Sequence, residues 1–385
     1  MQILKLAFRN AFRHRMRTAL TVLAMTIAIL AFGLLRTIVN AWYAGAEAAS
    51  ENRIITRNAI SIAFTLPISY KEKIKKVDGV TTVSQGNWFG GIYISEKNFF
   101  PNFAVDAKSY LELYPEFVLP PDQKEAFLKD KRGAIVGRIQ AEKYKWKIGD
   151  KITLKGTIFP GNWEFVLRGI YKGRDKKTDE GIFFFHWDYL NENLKKSAPR
   201  RADQVGIFIV GIKNHEDAAK ISVEIDKLFK NSLAETITET EKAFNLSFVA
   251  MTEAIVVVIQ VISFMIILII MFVVTNTMAM TARERLGEYA ILKAMGFDWK
   301  YIASVITFES LFISLLGTLF GMILILPAAH YFHKSLENFF PIFNVSAETF
   351  YLSTFFGFLV GFFAAVVPVF RASKIRIADG LRRIG

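Results

Sequence analysis

Four stretches of nearly unbroken apolar residues interrupt an otherwise mixed chain, at roughly Thr18 to Val39, Ala254 to Met280, Ile302 to Pro327 and Phe350 to Phe370. Each holds about 20 residues or more, enough at about 1.5 Å per residue to cross a hydrocarbon core of about 30 Å. Membrane helices are therefore expected at 18–41, 253–281, 299–327 and 349–371. A cleaved signal peptide is the competing reading of the first stretch, because Ala44, Ala46 and Ala48 follow it. Its charged lead of about 17 residues and its apolar run of about 20 are both long for that purpose.

Between the first and second stretches the pattern changes to short alternating runs punctuated by turn residues. Thr81 to Ser84, Gly91 to Ser95, Ala134 to Val136, Lys151 to Leu154, Phe165 to Tyr171 and Val205 to Val210 read as β-strands, and Ser69 to Lys76 and His215 to Lys230 as helices. The segment 42–252 is thus an α+β domain, large enough for one or two lobes with cores of their own. Residues 131–213 are its strand-rich middle and read as an inserted second lobe. Residues 215–252 contain no Pro or Gly and read as a stalk helix running into the second membrane helix. The fold class expected is an α-helical membrane protein with four transmembrane helices plus an α+β extracytoplasmic domain inserted between the first and second.

Composition agrees with this division, with 52% apolar residues, 36 Phe and a formal net charge of +13 in 385 residues. Charge position gives orientation. Lys5, Arg9, Arg13, Arg15 and Arg17 precede the first helix, Arg283, Arg285, Lys293 and Lys300 follow the second, and Arg371, Lys374, Arg376, Arg382 and Arg383 follow the fourth. The loop 328–348 holds only Lys334. Lys and Arg favour the cytoplasmic side, which places the basic amphipathic lead 1–17, the segment 282–298 and the tail 372–385 inside, and 42–252 and 328–348 outside. The lysines of the large domain escape that rule and read as its solvated surface. There is no cysteine, so disulfides and thiolate metal sites are excluded.

The segment after the second helix, Arg283-Glu284-Arg285-Leu286-Gly287-Glu288-Tyr289 and onward to Lys293-Ala294-Met295-Gly296, has the composition of a short helix. Glu284 and Glu288 share a face, and Gly296 stands where a left-handed residue ends a helix. Taken by itself it reads equally well as a solvated connector touching anionic headgroups. Within the membrane, Glu309 is costly unless paired, with Gln260, Ser263, Asn276 and Thr277 as candidate partners. Gly317 with Gly321, and Gly357 with Gly361, have the four-residue spacing that lets helix backbones approach. Arg36 reads as snorkelling at the outer end of its helix. His330 and His333 lack further ligands and read as interfacial.

The run Arg283-Glu284-Arg285 with Glu288, followed by Lys293-Ala294-Met295-Gly296, resembles the coupling helix of permeases of the MacB/FtsX/LolCE type, the mechanotransmission class of ABC systems. Glu309 with Leu315-Leu316-Gly317-Thr318-Leu319-Phe320-Gly321, Pro368-Val369-Phe370-Arg371-Ala372-Ser373-Lys374-Ile375, and Gly133-Ala134-Ile135-Val136-Gly137 with Gly149-Asp150 are similar to the same family. The resemblance implies ATPase coupling through Arg283, Glu284, Arg285, Glu288, Lys293 and Gly296, and intramembrane polar or packing roles for Glu309, Asn276, Gly317, Gly321, Gly357 and Gly361. It implies a permease homodimer or heterodimer in a bacterial cytoplasmic (inner) membrane, with a MacB-like periplasmic core domain that acts on cargo outside the bilayer. A periplasmic adaptor or lipoprotein chaperone would join some such assemblies. Lipoprotein, lipid, peptide and drug cargoes all fit the family, as does a non-transporting transmitter that regulates an extracytoplasmic hydrolase.

No phosphate loop occurs, since Gly156 to Gly161 is followed by Asn162 and Trp163 where Lys and Ser or Thr are needed. ATP and Mg²⁺ are expected on a separate cytosolic ATPase, with no cofactor, metal site or catalytic set in this chain and no nucleic-acid partner. The topology has a direct check in a cysteine-free chain: a single cysteine at Lys177 should react with a membrane-impermeant maleimide in intact cells, and one near Arg285, at Arg283, only after permeabilisation. The reverse pattern rejects the orientation.

Overall fold

The structure, a computed structural model, describes residues 13–175, 177–336, 340 and 343–374. The lead 1–12, with Lys5 and Arg9, and the tail from residue 375, with Arg376, Arg382 and Arg383, lie outside the described residues. The chain divides into a helical unit, 1–41 with 252–335 and 343–385, and a sheet unit, 42–251 with 336–342.

Among the described residues of the helical unit, 4 helices are long and apolar enough to cross a membrane: Arg15–Glu47, Glu253–Glu284, Trp299–Phe332 and Ala347–Ser373. A short helix, Leu286–Ala294, joins the second to the third. Their shared core is built from Met25, Ile29, Phe32, Ile267, Val274, Ile313, Val360 and Ala364, while Phe272, Leu319 and Phe362 point outward. Hydroxyls within the helices bond to their own turns: Ser263 Oγ donates to the Ile259 carbonyl at 2.9 Å and Thr277 Oγ1 to that of Val273 at 2.9 Å. Apolar surroundings demand such internal satisfaction.

The sheet unit contains an 11-stranded mixed sheet. From one edge its strands are Thr236–Thr240, Arg53–Asn58, Ile207–Ile212, Val80–Trp88, Asn102–Val105, Phe183–His186, Gly133–Gly137, Gly161–Gly173, Lys151–Gly156 and Gly91–Ile92, with Phe117–Val118 paired to Gly161–Gly173. Most pairs are antiparallel; Phe183–His186 runs parallel to Asn102–Val105, and Gly133–Gly137 to Gly161–Gly173. The strand Phe183-Phe184-Phe185 shows how the two faces are filled. Phe183 and Phe185 enter the larger core with Phe89, Phe165, Leu190 and Ile221, and Phe184 enters a second core on the other face with Leu111, Phe127 and Tyr171. Successive strand residues point to opposite faces, so an unbroken aromatic run requires burial on both.

Two expectations fail here. Residues 131–213 form no separate lobe, because Ile207–Ile212 lies between Arg53–Asn58 and Val80–Trp88, and Phe183–His186 pairs with Asn102–Val105. Residues 215–252 are not one stalk helix: Ala218–Leu228 ends, the chain turns through Asn231 at φ 59, and Thr236–Thr240 adds a strand before Glu241–Met251. The β-branched alternation Thr236-Ile237-Thr238 favours a strand. Asp226 secures its outer edge by accepting from the Thr238 N–H at 3.0 Å and from both threonine hydroxyls.

A buried charge cluster closes the sheet unit where its first and last strands begin and end. Arg53 Nε donates to Glu241 Oε2 at 2.7 Å, its Nη2 to Glu116 Oε1 at 2.7 Å and its Nη1 to the Leu113 carbonyl at 2.8 Å. Glu241 also accepts from the Ser50 N–H and the Tyr114 hydroxyl. Burial opposes the Arg53 charge, yet the carboxylates of Glu241 and Glu116, with Tyr114, more than offset it and raise the guanidinium above its usual range. Breaking such a cluster strands a buried charge at a cost of about 3–5 kcal/mol. Arg53→Met should therefore lower the thermal transition of the purified protein, followed by tryptophan fluorescence, whereas Lys129→Ala, which removes the exposed Lys129–Glu125 pair, should leave it in place. Equal melting of both variants would dismiss the cluster as a structural tie.

Candidate functional site

The second helix ends at Glu284, and Arg285 forms the joint before the short helix Leu286–Ala294. That helix stops in a Schellman turn: the Phe297 N–H donates to the Leu292 carbonyl at 3.1 Å, the Gly296 N–H to that of Lys293 at 3.0 Å, and Gly296 has φ +91. The left-handed conformation suits glycine there. Trp299 then opens the third helix, with the Tyr301 N–H donating to the Asp298 carbonyl at 3.0 Å.

Glu309, 3% exposed, accepts from Arg285 Nη1 at 2.8 Å. Its partner is thus neither Gln260, Ser263, Asn276 nor Thr277, as the sequence led us to expect. Ser263 and Thr277 are spent on their own helix, and Asn276 lies on the exposed face of the second helix. Arg285 is itself only 7% exposed. Its Nε donates to Glu288 Oε2 at 3.0 Å and its guanidinium lies 5.4 Å from the centre of the Tyr289 ring. Burial works against the Arg285 charge, but Tyr289, Glu309 and Glu288 raise its pKa. Burial would likewise push Glu288 up, and its hydrogen bonds to Arg285 and Arg13 prevail and hold it below the usual carboxylate range.

The carboxylates expected to meet a partner are engaged within the chain. Arg17 forks onto Glu284, Nη1 to Oε2 at 2.8 Å and Nη2 to Oε1 at 2.7 Å, and Arg13 pairs with Glu288. Lys293 donates to the Ser373 carbonyl at 2.8 Å, which ties the short helix to the end of the fourth. Arg283 and Gly296 are exposed. Large apolar side chains project outward as well: Ile291, Met295, Phe297 and Trp299 are exposed, interleaved with exposed Asp298 and Lys300. Beside them Lys293, Gly296, Phe297, Asp298, Trp299 and Ser373 line a cleft of about 550 Å³. The apolar residues carried a signal, since Met295, Phe297 and Trp299 flank a helix-ending glycine in an otherwise charged loop; the conspicuous charges masked it.

The four intramembrane glycines sit at helix crossings. A Cβ on Gly317 would lie 2.6 Å from Met25 Cβ, and one on Gly321 2.8 Å from Ile29, so the third helix packs on the first through this pair. Gly357 faces Thr318, and Gly361 faces Leu311 and Ser314, which seats the fourth helix on the third. Hydrogen bonds mark both crossings, from Thr26 Oγ1 to the Gly317 carbonyl at 3.2 Å and from Ser310 Oγ to the Gly361 carbonyl at 2.7 Å. Arg36, read as snorkelling, donates to Glu348 at 2.9 Å at the opposite end of the bundle from Arg17.

Comparison with known proteins finds similarity to one family model and to named relatives. Residues 260–377 match the FtsX-like permease C-terminal domain. A protein of Methanocaldococcus jannaschii, named an uncharacterized ABC transporter permease, is 26% identical over 407 aligned positions, covering 99% of this chain and 97% of that one. A Mycobacterium tuberculosis protein, also named an uncharacterized ABC transporter permease, is 24% identical over 275 positions, and the match spans 67% of this chain but 30% of that longer one. The extracellular domain of the noncanonic ABC-type transporter YknZ from Gram-positive bacteria aligns over 49% of this chain and 99% of its own, at 16% identity and a TM-score of 0.35. The four long apolar helices are those of a multi-pass membrane protein, and residues 260–377 are similar to an FtsX-like permease C-terminal domain. Both relatives carry the name ABC transporter permease, the class whose coupling-helix motif the sequence resembled.

The crossing at Gly357 is open to a direct test. Gly357→Val would drive a branched side chain into Thr318, and overpacking of this kind costs about 1–3 kcal/mol. The variant should melt at lower temperature in detergent than the parent, whereas Gly45→Ala, with open space around the added methyl, should not. Unchanged melting of Gly357→Val would mean the helices cross elsewhere.

Proposed function

We propose that this chain is the membrane subunit of a mechanotransmission ABC transporter, with both termini and the short helix in the cytoplasm and the sheet unit outside. A separate ATPase binds ATP and Mg²⁺ and grips the chain at the turn after the short helix. Nucleotide-driven closure of the ATPase pair then displaces that helix, and the movement reaches the sheet unit, which exports or extracts cargo on the far side of the membrane.

The observation that carries this reading is the set of exposed apolar side chains at the turn, Ile291, Met295, Phe297 and Trp299, beside an open cleft. Aromatic residues and methionine seated in a partner's pocket are the side chains that dominate protein interfaces. The carboxylates Glu284 and Glu288 support the grip by shaping the helix, since their partners are Arg17 and Arg13. A second permease copy belongs to this reading as well. Asn276 on the exposed face of the second helix offers a donor and an acceptor in apolar surroundings, a group that a neighbouring helix satisfies.

Met295→Asp with Phe297→Asp should abolish co-purification of the co-expressed cytosolic ATPase, at low and high salt alike, without loss of membrane insertion. Truncation of central interface anchors commonly costs about 2 kcal/mol or more each. Undiminished capture of the ATPase by that double variant would show that the apolar turn is not the grip.

A further inference from the structure

Three arginines and three carboxylates converge at one end of the helical unit. Arg13 and Arg17 come from the first helix and the turn before it, Glu284 from the end of the second, Arg285 and Glu288 from the joint and the short helix, and Glu309 from the third. Their formal charges cancel. Arg285 is at the centre, because it alone of the six is bonded to two different helices' carboxylates while being almost wholly buried.

Stability does not account for a pair placed there. Desolvating two charges costs about as much as their attraction returns, and apolar side chains of the same volume are often equally stable or better. Apolar packing lacks direction, whereas a guanidinium is a planar group whose N–H bonds point along fixed lines. Nε on Glu288 and Nη1 on Glu309 together fix the angle between the short helix and the third. Glu288 also takes Arg13, so the first helix is pinned to the short helix although the two residues are 275 positions apart in sequence.

We infer that Arg285 is a positioning residue: it sets the orientation of the short helix and, through the shared Glu288, makes the first and third helices follow any displacement of that helix. The coupling reading above supplies the displacement, and only that part rests on it. A push at the turn then need not travel solely along the second helix, to which the short helix is joined covalently. The first helix is driven directly, and its chain continues into the strand Arg53–Asn58.

The test uses the full chain in nanodiscs, with cysteines introduced at the exposed positions Met16 and Ala294, nitroxide-labelled and diluted with unlabelled chain so that only distances within one copy are read. The parent should give one narrow distance. Arg285→Met with Glu309→Met replaces the ion pair by apolar volume; it should match or exceed the parent in thermal stability and yet lose the narrow distance. Arg285→Lys, which keeps the charge and loses the fork, should fall between them. A double variant whose distance stays narrow, or whose broadening is accompanied by a matching loss of thermal stability, gives Arg285 a purely structural role and overturns the inference. ATP hydrolysis by the co-purified ATPase separates the two readings: a parent chain that recruits no ATPase sinks the coupling function and leaves the distances standing, while broad distances with unchanged chain-stimulated hydrolysis overturn the transmission step.

Discussion

A carboxylate cannot lie unpaired among apolar helices, and Glu309 imposes that constraint on everything around it. Its position in the third helix draws Arg285 out of solvent, and burial of Arg285 in turn requires Glu288 and the face of Tyr289 beside it. Tyr289 and Ala290 are buried, with Leu286 and Leu292 packed beside them, and the short helix leaves its remaining surface to the outside. Ile291 and Met295 therefore project, followed by Phe297 and Trp299 beyond the Gly296 turn. The outward position of these apolar side chains thus follows from how the rest of the short helix is buried.

The sheet unit solves a related problem with the same chemistry. Arg53 spends its donors on Glu241, Glu116 and the Leu113 carbonyl, and Glu241 spends its oxygens on Arg53, Ser50 and Tyr114. Ser50 and Arg53 belong to the chain leaving the first long helix, while Glu241 opens the helix that precedes the second. One carboxylate therefore holds together the two connections of the sheet unit. Exposed pairs such as Lys129 with Glu125 contribute little by comparison, because water already serves both partners.

The parts legible in sequence were those governed by local physics. Membrane helices announce themselves by length and apolarity, four-residue glycine spacing by helix geometry, and Gly296 by the left-handed conformation a helix end needs. Strands such as Lys151–Gly156 alternate buried and exposed positions and were read directly. Strands that escaped were of two kinds. Phe183–His186 is buried on both faces and has no alternation to read, and Arg53–Asn58 and Thr236–Thr240 carry charges that make them look like loop or helix until their partners are known. Ion pairing was the least legible level. Arg17 with Glu284 and Arg53 with Glu241 join residues 267 and 188 positions apart, and no periodicity reports on contacts of that span.

The same separation in sequence hides where the charges of this segment go. Viewed along the chain, Arg283 to Glu288 is a dense run of charge, and dense charge reads as a surface for a partner. In the fold, three of those charges are neutralised by residues from the first and third helices, so the segment is less a free handle than the knot in which those helices meet. The first helix is tied at one end by Arg13 and Arg17, and the chain that leaves its other end is tied at Ser50 and Arg53. Directional bonds fix the rotation and register of the segment they hold, whereas a helix held by apolar packing alone can slide and rotate. Such a directional hold is what the buried Arg285 adds in the helical unit and the buried Arg53 in the sheet unit, beyond any gain in stability.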